Sequence, residues 1–213
     1  MLGRSTRDGK GLAEWRSPAR ILMEHHIQLP TTEDLMRSLT VQDTVFISGP
    51  LFGIRDATQI RIFDRGVPPP VDLSGHFVIH TAPNVKKRPN GRYEKICIGT
   101  TTSGRMERFS PLLIEQYGVR GIIGKGGLFE GSTLAMAAHG ACYLSIVGGA
   151  AALETTQIEE IEEVYWEDLM PECLWKFRVK DFGPLLVSID SHRRNLYFEV
   201  KAAAKEKLDE LFG

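Results

Sequence analysis

From residue 110 onward the chain repeats one pattern: helical stretch, glycine stop, short apolar strand, glycine turn, helix again. Ser110–Tyr117 carries Pro111 in its first turn, where a missing N–H is harmless, and Gly118 stops it. Val119–Ile123 reads as a buried strand that ends in Gly124-Lys125-Gly126-Gly127. Ser132–His139 is a second helix, stopped at Gly140, and Ala141–Val147 a second strand ending at Gly148-Gly149. Ala150–Gln157 starts a further helix. Strands joined through helices must cross over and lie parallel, so this repetition demands an α/β fold with parallel βαβ crossovers.

The first half is less regular. Thr31-Thr32-Glu33-Asp34 offers hydroxyl caps and early acids for a helix running to about Ser38. Val41–Ser48 is a β-branched strand punctuated by Gly49-Pro50, and Leu51–Ile54 continues extended. Asp56–Asp64 is predicted as a short helix with Ile60 and Phe63 inward, and Val67-Pro68-Pro69-Pro70 is a stiff connector. Gly75–His80 and Tyr93–Ile98 read as strands, with a basic turn over Lys86–Gly91 between them. Beyond residue 157, Glu159, Glu160, Glu162 and Glu163 surround Ile158, Ile161 and Val164 as a solvated acidic face. Trp175–Val179, Leu185–Ile189 and Leu196–Val200 read as three strands, and Lys201–Phe212 as an exposed terminal helix. Residues 1–20 read as a disordered or expression-derived lead-in, and residues 21–213 as a single domain.

Charge excludes some functions. Twenty-six Lys/Arg against twenty-seven Asp/Glu leave a net charge of -1, so nothing draws the chain to nucleic acid or an anionic membrane. No apolar run reaches the ~18–20 residues of a membrane span, and the start lacks the apolar middle of a secretory signal. A cytoplasmic location is expected. Residues 1–110 hold sixteen basic and eleven acidic side chains, residues 111–213 ten and sixteen, an asymmetry suited to binding small anions and meeting a partner. Cys97, Cys142 and Cys173 lie 45 and 31 residues apart with no C-x-x-C. That spacing argues against a disulfide framework or an iron–sulfur site built by this chain alone. Reduced, mostly buried thiols are expected.

Three turns are expected at strand ends: Gly99–Arg105, Gly124–Gly127 and Gly148–Ala151. In open α/β sheets the ligand crevice lies outside the carboxyl ends of the parallel strands. Glycine there lets backbone approach a ligand, and the run Thr100-Thr101-Thr102-Ser103 before Arg105 adds donors and a bidentate fork for a carboxylate or phosphate. Lys125 stands between glycines, and Arg55 follows the Gly49-Pro50 strand, so three cations at three strand ends suggest a site for a small dianion. The lysine turn is no P-loop, lacking G-x-x-x-x-G-K-[ST]. No Ser/His/Asp or Cys/His constellation stands out: His76, His80, His139 and His192 sit in unremarkable contexts, and His25-His26 reads as solvent-facing at a frayed start. Taken singly, a Thr-rich turn is a cap and each cation a surface charge. Composition and spacing reach an anion site in an α/β protein and stop there.

Three strings carry more. Gly99-Thr100-Thr101-Thr102-Ser103-Gly104-Arg105-Met106-Glu107, Ile123-Gly124-Lys125-Gly126-Gly127 and Val147-Gly148-Gly149-Ala150-Ala151-Ala152-Leu153, with the Gly49-Pro50…Arg55-Asp56 segment, resemble the β subunit of iron–sulfur hydro-lyases. That family comprises class I fumarases and L-tartrate dehydratases, and the resemblance runs from about Gln28 to Tyr197. The stretch Gln157–Val164, Leu174-Trp175 and Asp181–Asp190 look closest to the tartrate dehydratase branch. The resemblance implies a swivelling β/β/α domain, with an additional small β portion, that docks on an α subunit carrying a 4Fe-4S cluster, possibly as (αβ)2. It implies reversible removal of water from a 2-hydroxydicarboxylate, such as L-tartrate or malate. Carried over by position, Arg55, Arg105, Lys125 and Gly126 would bind a substrate carboxylate, and Thr101 would be the substrate-contacting hydroxyl that acts as base or proton relay. Lys125 is counted with Thr101 as catalytic. Two positions depart from the family: Thr100 replaces its usual Pro, and Gln59 its usual His. Gln cannot titrate near neutrality, which marks position 59 as a candidate altered site. The departure keeps a second reading open, a stand-alone small-anion binding or regulatory domain.

Overall fold

The period-two alternation of the strands decides how the core is divided. In the computed structural model, which describes residues 22–146 and 155–212, the strands are β1 (Glu24–Gln28), β2 (Thr44–Ile54), β3 (Phe77–His80), β4 (Asn84–Lys87), β5 (Tyr93–Cys97), β6 (Gly121–Gly124), β7 (Cys142–Ser145), β8 (Ile158–Tyr165) and β9 (Leu174–Ile189). Phe77 and Ile79 of β3, Ile123 of β6 and Leu144 of β7 pack on one face with Val45, Ile47, Trp175 and Phe177. Their neighbours Val78, Ile122 and Tyr143 face the other way, against Leu113, Ile114, Ala135 and Met136. Burying each such aliphatic side chain is worth about 1.5–3 kcal/mol, so a one-residue slip of register would forfeit both layers.

The seven-stranded sheet runs β1-β2-β3-β6-β7-β9-β8, while β4 and β5 form a separate antiparallel hairpin. β1, β2, β3, β6 and β7 are parallel, as the helix–strand repetition requires. At 16 residues β9 is long enough to pair antiparallel with β7 through Leu186–Ile189 and with β2 through Trp175–Leu186. The pairings β2-β3-β6-β7-β9-β2 therefore close into a ring.

Helix ends follow local chemistry. Thr32 caps α1 (Glu33–Ser38), its hydroxyl accepting from Leu35 N at 3.3 Å. α3 (Ser110–Tyr117) and α4 (Glu130–His139) stop at Gly118 and Gly140, both left-handed at φ 64° and 60°. Between them in the chain order and α1 lies α2 (Asp56–Gln59), which passes into a π-helical turn over Ile60–Asp64. That segment buries Thr58, Gln59 and Ile62; Phe63 points inward as expected, packing half-buried against the core beside Phe109 and Tyr117, whereas Ile60, also expected inward, is only partly covered.

Other expectations are corrected. Leu196–Val200 is no strand but the start of α5 (Leu196–Phe212), because Asn195 Oδ1 accepts from Tyr197 N at 3.1 Å and opens a helix. Trp175–Val179 and Leu185–Ile189 belong to one strand, bent where Asp181 takes φ 46° and Gly183 φ 159°. His25 and His26 are not frayed, since they lie in β1 opposite Val45 and Phe46. The acidic run forms β8, and its face is partly neutralised: Glu163 meets Lys176 at 2.8 Å and Glu162 meets Arg178. No helix among the described residues is long and apolar enough to cross a membrane. The lead-in, the Gly148-Gly149 turn and the helix beginning at Ala150 lie outside the described residues, apart from a short turn at Thr155–Gln157.

Candidate active site

Parallel strands put their carboxyl ends on one edge, so Arg55 after β2, Thr81 after β3 and Lys125 after β6 emerge together. The turn Gly99–Arg105 reaches the same edge by another route. It leaves the end of β5, the strand end expected from sequence, although β5 belongs to the hairpin and not to the parallel set. Backbone pairing brings it in: Thr100 bridges to Thr81, Thr101 N donates to His80 O at 2.9 Å, and Ser103 N to Lys125 O at 2.9 Å. Thr102 and Lys125 form a parallel bridge.

Two carboxylates hold the arginines. Arg105 Nη2 donates to Thr101 Oγ1 at 3.1 Å and to Asp56 Oδ2 at 3.0 Å. Arg55 Nε lies 3.3 Å from the same Asp56 oxygen and 3.3 Å from Glu172 Oε1. Glu172 is itself fixed by Ala57 N at 2.8 Å, so the start of α2 anchors the pair. Lys125 is exposed and makes no ion pair among the described residues. Gly126 and Gly127 sit at φ 80° and 76°, the left-handed region that favours glycine, which turns the chain sharply beside the lysine. Three cations against two carboxylates leave one positive charge in excess, and with Arg105 half exposed the edge can take an incoming carboxylate. Thr101, Arg105, Arg55 and Asp56 are thus in one contact set; Lys125 joins it through backbone pairing with the same turn, and Gly126, next in the chain, lies where a Cβ would be 3.2 Å from Thr102 Cγ2.

Gln59 is elsewhere. It is fully buried, one helical turn beyond Arg55, with Nε2 directed at Arg55 O at 3.4 Å and Oε1 without a hydrogen-bond partner among the described residues. It stands behind the arginine and not on the open edge.

Sequence reasoning missed two residues. His80 ends β3 and is fully buried, with Nδ1 2.9 Å from Ser103 Oγ, which also accepts from Tyr143 OH at 3.0 Å. Burial lowers its pKa to about 3 against the opposing pull of Asp56, so the ring is neutral at ordinary pH. Its position at a parallel strand end was the same signal that singled out Arg55 and Lys125. Glu107, two residues after Arg105, caps α4: its carboxylate accepts from Phe129 N at 2.8 Å, Ser132 N at 2.9 Å and Ser132 Oγ at 2.7 Å.

The cysteines are free and scattered: Cys97 on β5, Cys142 on β7 and Cys173 just before β9. Burial raises the Cys142 thiol and pushes that of Cys173 up to about 11. Among the described residues no group of three His, Cys, Asp or Glu side chains is placed to hold a metal, so they do not fit an iron–sulfur cluster. A groove of about 870 Å³ between the β4–β5 hairpin and β8–β9 is walled by charged side chains, including Lys95, Glu163 and Lys176, and shares no residue with the cation cluster.

Comparison with known proteins identifies the family. Residues 6–200 match the family described as Fumarase C-terminus. The chain is 39% identical over 188 residues to the L(+)-tartrate dehydratase subunit beta of Escherichia coli, covering 88% of this chain and 93% of that one. It is 33% identical to a putative L(+)-tartrate dehydratase subunit beta of Methanocaldococcus jannaschii, covering 90% and 100%. A putative class I fumarate hydratase of Geobacillus stearothermophilus is 36% identical over 200 residues, 93% of this chain but 38% of that longer protein.

Proposed function

The chain belongs to the Fumarase C-terminus family and is a hydro-lyase β subunit, and from that premise we propose that its Arg55, Thr101, Arg105, Lys125 and Gly126 clamp a carboxylate of a 2-hydroxydicarboxylate during dehydration. The supporting observation is the shared hydrogen bonding of Arg105, one guanidinium joining the Thr101 hydroxyl to the carboxylate that also holds Arg55. The substrates in view are L-tartrate, after the tartrate dehydratase relatives, and malate, the acid whose dehydration gives the fumarate named by the fumarate hydratase relative. The partner is an α subunit bearing a 4Fe-4S cluster, in an αβ or (αβ)2 assembly in the cytoplasm, and this domain swivels against it. The described residues of this chain offer that cluster no ligand set, and no step here depends on it.

Each group has a role. The guanidinium forks of Arg55 and Arg105 match a carboxylate in shape, and Lys125 adds a point charge beside glycines that let the backbone approach. The incoming carboxylate replaces Asp56 or Glu172 as partner, so binding exchanges one ion pair for another and selects an anion of the right reach. Thr101 Oγ1, as the alkoxide, receives the proton from C3, the C3 electron pair forms the C2–C3 double bond and the C2 hydroxyl leaves as hydroxide; the proton then passes from Thr101 to that hydroxide, giving water and restoring the alkoxide. A threonine hydroxyl is a poor base unaided; the Arg105 guanidinium at 3.1 Å stabilises the alkoxide form. Gln59, buried behind Arg55, acts on the clamp only through α2.

The test is anaerobic assembly with the cluster-bearing α subunit, followed by dehydration assays on L-tartrate and L-malate. Turnover of either acid is expected. A stable, loaded complex that turns over neither contradicts the substrate class, and failure to form any complex contradicts the α-subunit partnership and favours a stand-alone anion-binding domain.

A further inference from the structure

His80 and Ser103 stand 2.9 Å apart and resemble a general base with its nucleophile. Their burial rules that out: His80, Ser103 and Tyr143 all have no solvent-exposed surface, so no substrate reaches them. We infer that His80 is a positioning residue, gripping the turn that carries Thr101 and Arg105 and coupling it to the Lys125-Gly126-Gly127 turn; this rests on the clamp proposed above.

Two bonds make the grip. The carbonyl of His80 accepts from Thr101 N, and its imidazole meets the hydroxyl of Ser103, so one residue holds both sides of Thr102, the residue bridged to Lys125. Hydrogen counting then favours one tautomer, the one that puts the Ser103 proton to use. Tyr143 OH donates to Ser103 Oγ at 3.0 Å. The single Ser103 proton is left for His80 Nδ1, so the ring carries its own proton on Nε2. Among the described residues Nε2 has no hydrogen-bond partner, so the bond at Nδ1 is the side-chain hydrogen bond that orients the ring there. A buried network therefore joins the lysine turn, through the Lys125 carbonyl, to Ser103 and on to Tyr143 and His80, beneath the exposed cations. Its loss lets the Thr101–Arg105 turn shift, and a shift near 1 Å in a positioning element lowers turnover by roughly 100-fold.

Isosteric substitutions separate this role from general packing. The amide of Asn reaches the Nδ1 position and keeps the bond to Ser103; the amide of Gln reaches the Nε2 position and loses it. In the αβ complex, His80→Asn is expected to stay within about threefold of wild type in kcat/KM, and His80→Gln and Ser103→Ala to fall roughly 10–100-fold. The double variant His80→Gln/Ser103→Ala is expected to be no worse than the poorer single. Equal loss in the Asn and Gln variants, or losses that multiply in the double, overturns the inference. Imidazole ¹⁵N shifts of the full-length chain give a readout independent of turnover: Nδ1 unprotonated and Nε2 protonated is expected, with Nδ1 moving in Ser103→Ala. A protonated Nδ1 overturns it. A wild-type complex that turns over no hydroxydicarboxylate refutes the clamp while leaving those shifts as they are, so the two failures are distinguishable.

Discussion

Gly124 ends β6 directly beneath the cation cluster, and a methyl group there is expected to disrupt the centre of the site. A Cβ at this position would lie 1.9 Å from Ser103 Oγ and 3.0 Å from Tyr143 OH. Ser103 cannot retreat freely, because its amide is bonded to Lys125 O and its hydroxyl sits between Tyr143 and His80. Rotating the hydroxyl away leaves two buried polar groups unpaired, at about 1–3 kcal/mol each. Overpacking adds about 1–3 kcal/mol if the backbone shifts as well. Gly124→Ala should therefore cost at least about 3 kcal/mol, taking each contribution at its lower bound, and at ~2–4 °C per kcal/mol the melting temperature should fall by at least roughly 6 °C. Urea denaturation monitored by tryptophan fluorescence reads the free energy, with the slope checked for a change in denatured state. Adding Ser103→Ala to Gly124→Ala removes the colliding oxygen, leaving the Ser103 Cβ contact at 3.3 Å, so the double variant should be no less stable than Gly124→Ala alone. A Gly124→Ala protein within 0.5 kcal/mol of wild type (about the scatter of surface changes), or a double variant whose losses simply add, would refute the packing of this turn.

Removing the Glu107 carboxylate uncaps α4 and should cost about 1–2 kcal/mol, as helix caps do, seen as a lower urea midpoint for Glu107→Ala; an unchanged midpoint would show that α4 is capped otherwise. His80 gives a pH dependence whose sign is fixed by its burial. Its folded pKa of about 3 lies below the ordinary 6.5, so between those values the unfolded chain binds the proton that the folded chain refuses, and stability falls as the pH is lowered through 6.5 toward 3. Between pH 7 and pH 5 its contribution should shrink by about 2 kcal/mol in wild type and not in His80→Asn, measured by denaturation at the two pH values; equal slopes would mean the imidazole is charged or exposed.

How much of this was legible in the sequence depended on whether a residue's role is local. Gly118 and Gly140 stop helices by conformation alone, and Thr32 caps through its own hydroxyl, so those boundaries could be read directly. Leu196–Val200 carries Leu, Tyr, Phe and Val, a strand-like composition, yet the Asn195 cap opens a helix there. The bend in β9 hides one strand as two, because Asp181 and Gly183 break the alternation without ending the pairing. Arg55 and Lys125 were found from strand ends, whereas the hairpin route of the Gly99–Arg105 turn depends on the Thr81–Thr100 bridge, a contact between distant segments. The role of His80 needed burial and the nearness of Ser103, 23 residues on, neither of which spacing records. Position 59 stood out only by comparison with the family, and its place behind Arg55 came from the fold.

The measurement that bears most directly on the clamp is the dehydration rate of the αβ complex carrying Arg105→Ala or Lys125→Ala, with the iron–sulfur content of each preparation determined alongside. Loss of most of the turnover on the acid that wild type dehydrates, with the cluster content unchanged, is the expected result. Wild-type turnover in both variants would contradict the placement of the substrate carboxylate on this edge.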